Sequence, residues 1–368
     1  MTYLADRMSL IDASGIRKVF ALAAKMKDPV NLSIGQPDYD VDLAVKETAI
    51  EAIRDGFNGY TQTWGDEALR GAVQDYYDRR FGVRPENVMV TSGVSGGLFL
   101  GLMATVNPGD EVLFADPYFV MYPHLVRLLG GKPVAIDTYP DFKLTPEAVA
   151  AAVTPMSKIL IINAPANPTG VSLTQEELDA LVAEAKRHNL LVITDEIYEA
   201  LLYDDAPATA VGRYENILLL NGLSKSAAMT GWRVGFAAGP EALIQAMNTL
   251  QQYTYVCAPA PAQKAAITAL SQDMTDKVDR YRRKRDIIYD GLRQLGLAVT
   301  RPGGAFYIFP EAPGGDGDAF VLRAIENNLL VIPGSVFSAR KTHFRISFAA
   351  SDDTLREGLA IIAKLRES

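Results

Sequence analysis

The chain has 368 residues, 48% of them hydrophobic and 22% charged, with a formal net charge of −8. At roughly 150 residues per domain that length predicts two domains, and the composition is that of a globular protein with a large core. The acidic balance disfavours nucleic acid or an anionic membrane surface as a partner, because both ask for a basic face.

A single cysteine, Cys257, leaves no disulfide within the chain and fits a reducing compartment. His124, His188 and His343 stand far apart without cysteine partners, so no His/Cys zinc pattern emerges. The opening MTYLADRMSLIDASGIRK carries acids and no sustained apolar run, unlike a signal peptide. No window approaches the roughly 18 apolar residues of a membrane helix. A cytoplasmic protein with no membrane partner is expected.

In chain order, residues 66–80 (DEALRGAVQDYYDRR) predict a helix that opens acidic and closes basic, as its dipole prefers. Residues 88–91 (VMVT) predict a short strand, followed by the glycine-rich SGVSGG and a helix over LFLGLMATV. Strands follow at 111–115 (EVLFA) and 158–163 (KILIIN), the second running into APANPTG. Residues 174–188 predict a helix, 190–194 (LLVIT) a strand ending in Asp195 and Glu196, and 217–220 a strand ending in GLSKSAAMTGWR. Alternating strands and near-continuous apolar runs imply an α/β fold, with a mostly parallel, mixed sheet sandwiched by helices. From about residue 271 the character changes. A long basic helix over 277–293 reads as a solvated or inter-domain face. After it come the glycine-flanked strand AFYIF, a glycine/proline loop, and a closing strand and helix. The predicted division is an N-terminal segment, 1–40, packed on a small domain, 271–368, with a large domain at 41–270.

Ligands of open α/β sheets sit outside the carboxyl ends of the strands, so the residues after each strand are the candidates. Ser92-Gly93-Val94-Ser95-Gly96-Gly97 suits an anion seat at a helix start, or else a plain tight turn. Asn163 and Asn167 offer amides, or form an Asn-Pro turn. Asp195 is a carboxylate at the end of a buried strand, which needs a partner or a structural salt bridge. Tyr198 is a phenol close by, or else a core phenol with its hydroxyl satisfied. Lys225 lies among Ser224, Ser226, Ala227 and Ala228 with no charge partner nearby, which favours a lowered pKa and Schiff-base chemistry. Arg233, eight residues on, is a candidate anion ligand. Together these groups describe the needs of one small molecule, pyridoxal 5′-phosphate: a phosphate seat, an amine for its aldehyde and an acid for its pyridine nitrogen.

The strings NLSIGQPDYD, GYTQTWGDEALR, MVTSGVSGGL, DEVLFADPYFVMYP, INAPANPTG, VITDEIYEAL, LSKSAAMTGWRVGF, RPGGAFYIF and HFRISFA, in this order, closely resemble the class I/II aminotransferases of fold type I. The resemblance implies that Lys225 bears the cofactor and then moves the substrate proton, with Asp195 on the pyridine nitrogen. Tyr198 and Asn167 would bond the ring oxygen and Phe119 would stack on the ring. The Val94 backbone, Ser95, Ser224 and Arg233 would hold the phosphate, and Tyr60 would reach the phosphate of a neighbouring copy in a homodimer. Arg345 would clamp the substrate carboxylate beside Gly35 and Asn163. Gly222 stands where many relatives carry serine, and Ser95 where they often carry lysine.

The implied function is transfer of an amino group between an L-amino acid and a 2-oxo acid by a ping-pong mechanism. The alternative is a carbon–sulfur β-lyase or related synthase on the same scaffold. A cofactor-binding gene regulator is disfavoured, since residues 1–30 are too few for a DNA-binding head. No second cation for an acidic side chain is legible, and the arginines at 280–285 lack motif context. Trp64, Tyr39, Phe20 and Tyr118 are candidates for an aromatic or apolar side-chain pocket, or else pack the core or a subunit interface; the first reading suggests a neutral or aromatic substrate.

Overall fold

The computed structural model describes residues 3–11, 15 and 26–367. Seven strands form one sheet: β1 (Met89–Ser92), β2 (Glu111–Asp116), β3 (Lys132–Asp137), β4 (Ser157–Asn163), β5 (Leu191–Asp195), β6 (Ile217–Gly222) and β7 (Val234–Ala238). Their order is β1-β7-β6-β5-β4-β2-β3. Strand β7 runs antiparallel to β1 and β6, and the other pairings are parallel. Alternate side chains of each strand enter opposite layers. Leu218 and Leu220 join Ile159, Ile161 and Ile193 on one face. Leu160, Ile162 and Val192 enter the layer on the other.

The helices begin where their sequences provide caps. In α1 (Glu67–Phe81) the Asp66 carboxylate accepts the Leu69 N–H at 3.1 Å, and Gly82 ends the helix at φ 68°. The start of α2 (Gly93–Thr105) differs from expectation, since the glycine run is its first turn and not a loop before Leu98. A Cβ on Gly97 would stand 2.9 Å from Leu220 Cδ2, and one on Gly101 2.6 Å from Leu218 Cδ2. Close seating of the helix on the sheet outweighs glycine's weak helix propensity. Helix α3 (Gln175–Arg187) opens with a capping box: Thr174 Oγ1 accepts the Glu177 N–H at 3.2 Å, and Glu177 Oε2 accepts the Thr174 N–H at 2.9 Å.

The C-terminal part carries a three-stranded antiparallel sheet with Phe344–Ser347 between Ile332–Pro333 and Tyr307–Ile308. The expected AFYIF strand is regular only over Tyr307–Ile308. Val30–Asn31 pairs in parallel with Leu329–Leu330, which joins the N-terminal segment to this part. Helix α4 (Thr275–Gln294) packs against Asp352–Glu367. It is not a solvated face throughout. Tyr281, Ile288 and Leu292 enter the core, and the buried Lys284 and Arg285 are ion-paired to Asp38 and Asp204. Among the described residues, no helix is long and apolar enough to cross a membrane.

Gly222 faces Gly235 across β6 and β7. A Cβ on Gly222 would stand 2.9 Å from Gly235 Cα and 3.0 Å from Val234 O, both backbone atoms that have little room to move. The absent serine is therefore a packing requirement of this chain. Gly222→Ser is expected to lower stability by about 1–3 kcal/mol, read as a lower urea midpoint at unchanged slope. A midpoint equal to the parent's would contradict this account.

Candidate active site

The carboxyl ends of β1, β4, β5 and β6 and the segment entering β7 converge on a cavity of about 420 Å³. Strand β5 delivers Asp195, whose Oδ2 accepts the Tyr122 hydroxyl at 2.8 Å and whose Oδ1 accepts the Ile197 N–H at 3.4 Å. Burial pushes its pKa up to about 6, against the pull of those two hydrogen bonds and of the Lys225 cation. In the turn beyond, the Tyr198 hydroxyl meets the Tyr307 hydroxyl at 3.0 Å, and burial keeps the Tyr198 phenol protonated.

Strand β6 delivers Ser224 and Lys225. The Tyr39 hydroxyl lies 2.9 Å from the Lys225 carbonyl and 2.8 Å from that of Ser226, and so fixes the loop. Lys225 Nζ donates to Gly35 O at 2.6 Å and lies 5.9 Å from the Tyr198 and Phe306 ring centroids. Burial lowers its pKa to about 8, Arg345 and Arg233 push the same way, and Asp195 opposes them.

Strand β4 ends in Asn163, whose Nδ2 donates to Asp195 O at 2.9 Å and whose Oδ1 accepts the Asn167 N–H at 3.0 Å. Asn167 Oδ1 in turn accepts from Arg345 Nη1 at 2.9 Å. Arg345 comes from the middle strand of the small sheet and is 1% exposed. Its Nη2 donates to Ser33 O at 2.9 Å, and its guanidinium carbon lies 4.4 Å from the Tyr307 ring centroid and 4.8 Å from that of Phe337. Nε has no acceptor, and no carboxylate among the described residues pairs with this guanidinium. Burial depresses its pKa below the usual arginine value. A buried cation without an anion is costly, so the site is built for one that arrives with a ligand.

On the opposite wall, Val94 and Ser95 lie in the first turn of α2. Arg233 donates to Thr230 O at 3.0 Å and to Ser92 O at 3.4 Å, and its backbone is left-handed at φ 57°. Free N–H groups at a helix start beside a guanidinium make an anion seat. Phe119 contributes its ring, edge-on to Tyr122 at 5.6 Å.

Every residue given a cofactor or carboxylate role from the sequence lines this cavity except Tyr60, which lies outside it at 85% exposure. The proposed aromatic pocket does not form there. Trp64 and Tyr118 pack on the sheet, Tyr118 edge-on to Phe114 at 5.3 Å, and Tyr39 serves the lysine loop. Phe20 lies outside the described residues. The charged groups at 280–285 are committed to acids: Arg280 and Lys284 to Asp38, Arg282 to Asp279, Arg283 to Asp352 and Arg285 to Asp204. Tyr307 and Gln36 also line the cavity and were not singled out. Tyr307 was hidden within an apolar run, where a phenol reads as core.

The donor set fits pyridoxal 5′-phosphate: an amine of lowered pKa, a seat for a dianion, and a buried carboxylate for a ring nitrogen. Fold and site together define a pyridoxal phosphate enzyme. The family model for aminotransferase class I and II matches residues 27–362, and the chain belongs to that family. It is 37% identical to the aspartate aminotransferase of Pyrococcus abyssi over 99% of this chain and 98% of that one. It is 36% identical to aromatic-amino-acid aminotransferase 2 of Thermococcus litoralis over 98% of each. The crystal structure of the aspartate aminotransferase from Rhizobium meliloti matches with a TM-score of 0.95 at 33% identity, over 100% of this chain and 99% of that one. The protein is a pyridoxal phosphate-dependent aminotransferase, and these relatives give no support to a lyase.

In the cofactor-free protein, acylation of Lys225 by acetic anhydride, followed by peptide mass mapping, is expected to quicken with pH around a midpoint near 8. The neutral amine is the nucleophile, so the rate rises as the proton leaves. A midpoint at the ordinary lysine value of 10.5 would contradict the burial assigned to this amine.

Proposed function

We propose that Lys225, Asp195 and Tyr198 carry the chemistry of amino-group transfer, and that Arg345 selects amino and oxo acids by their α-carboxylate. The observation that carries this reading is the pairing of a lysine of lowered pKa with a buried arginine that lacks an anion, in one cavity. When bound, pyridoxal 5′-phosphate supplies an aldehyde that condenses with amines and a ring that withdraws electrons from the substrate Cα. Asp195 holds a proton on the ring nitrogen, and its own proton affinity falls once that cation is beside it. Tyr198 and Asn167 bond the ring oxygen, and Phe119 covers one face. Val94 N–H, Ser95, Ser224 and Arg233 hold the phosphate. Lys225 Nζ removes the proton from the substrate Cα, which a largely desolvated amine near neutrality does well. Arg345, flanked by Gly35 and Asn163, orients the carboxylate so that the Cα–H bond faces Lys225.

Residues 41–270 form the cofactor-binding domain of this reading, where Met121–Leu128 meets Asp6–Leu10, with 271–368 as the small domain and much of the described part of 1–40 packed on it. The pairing of Val30–Asn31 with Leu329–Leu330 supports that last contact. A homodimer with shared active sites is supported by the exposure of Tyr60, which is left free for a neighbour's phosphate seat. The lone cysteine and acidic charge support a cytoplasmic location. The substrate is an L-amino acid with a neutral or aromatic side chain, because among the described residues the only cations lining the cavity are Lys225, Arg233 and Arg345, and each already has a role.

The test mixes the holoenzyme with a panel of L-amino acids and no oxo acid. The visible absorption of the lysine-linked cofactor is expected to fall as one equivalent of 2-oxo acid is released, most readily with a neutral or aromatic donor. Continuous release of ammonia over many turnovers would instead indicate a lyase. Arg345→Gln is expected to lower kcat/KM by about a hundredfold through loss of a charge-assisted pair, at unchanged cofactor absorption. Wild-type kinetics in this variant would remove Arg345 from the site.

A further inference from the structure

We infer that Tyr307 is a positioning residue serving both halves of the site: its hydroxyl orients the Tyr198 phenol, and its ring supports the Arg345 guanidinium. The inference rests on the roles proposed above for Tyr198 and Arg345.

The turn before Tyr307 is tied to the loops of the large sheet. The N–H groups of Gly303 and Gly304 donate to Gly170 O at 2.9 and 3.0 Å, and that of Ala305 donates to Leu201 O at 2.9 Å. The Tyr203 N–H donates to Gly303 O at 2.9 Å. Ala305 takes a left-handed backbone at φ 56°, which a side chain disfavours and which the surrounding bonds must enforce. The strand that follows pairs Tyr307 with Ser347, two residues from Arg345 on the neighbouring strand, so both side chains leave the same face.

Two contacts follow from that placement. The Arg345 guanidinium lies over both the Tyr307 and Phe337 rings, at 4.4 and 4.8 Å from their centroids, contacts that restrict its tilt. The Tyr198 hydroxyl has Tyr307 as its hydrogen-bond partner at 3.0 Å. A phenol has one proton, so if Tyr198 is to donate to a ligand oxygen it must accept from Tyr307. The two bonds in series then polarise one another and strengthen the donation from Tyr198. The other charged or titratable groups facing Tyr198 among the described residues are Lys225, Asp195, Arg345 and the Tyr122 phenol.

Two holoenzyme variants separate the two contributions. Tyr307→Phe keeps the ring and removes the proton. The pH midpoint of the lysine-linked visible absorption is expected to rise by about half to one unit, with KM for the amino acid within about twofold of the parent. Tyr307→Leu removes the ring as well and is expected to raise KM at least about tenfold. An unmoved midpoint in Tyr307→Phe, or a KM rise there as large as in Tyr307→Leu, overturns the inference. A wild-type holoenzyme with no lysine-linked absorption would instead overturn the reading of Lys225 on which this one stands.

Discussion

The site is organised by one constraint: cations gathered in one cavity with too few anions of their own. Among the described residues, Lys225, Arg233 and Arg345 share the cavity with one carboxylate, that of Asp195. Other fully buried cations among the described residues are compensated differently. Lys284 and Arg285 are as deeply buried as Arg345, and each has a carboxylate partner. Arg345 instead makes do with an amide oxygen and a backbone carbonyl. A buried charge left so incompletely compensated lowers stability, and it persists where a ligand supplies the missing anion. The same positive surroundings, with burial, lower the proton affinity of Lys225 and prepare its amine for a carbonyl.

The fold supplies this arrangement through sheet topology. Strands β4, β5 and β6 run parallel and side by side, so Asn163, Asp195 and the residues leading to Lys225 emerge at one edge. Strand β7 runs the other way, so the residue before it, Arg233, arrives at that same edge from the opposite direction. Strand β1 then hands the chain directly to α2, which lies close on Leu218 and Leu220 and aims its first turn at the space between. Arg345 and Tyr307 reach the cavity from the separate small sheet, so the proposed carboxylate clamp and the proposed cofactor seat stand on different scaffolds.

Much of this was legible in the sequence, for identifiable reasons. Buried parallel strands read as continuous apolar runs, so a charged residue at the end of one, such as Asp195, stands out. Lys225 was conspicuous because its neighbours are small and neutral. Less was legible where packing decides. The helical start at Gly93 contradicts local propensity and depends on a sheet surface that the sequence does not display. Lys284 and Arg285 look like solvated charges until Asp38 and Asp204 are brought to them from distant segments. Tyr307 was unreadable because an apolar strand hides a phenol. Trp64, Tyr39 and Tyr118 read from the sequence equally as pocket or as core residues, and only packing commits them to the core and the lysine loop.

The central claim is that this pocket of cations is built around one covalently held, anionic cofactor. Borohydride reduction of the holoenzyme, followed by digestion and peptide mass analysis, tests it most directly. The account predicts one pyridoxyl group per chain, on the peptide that contains Lys225. Cofactor fixed mainly to another lysine, or spread over surface lysines with Lys225 unmodified, would contradict it.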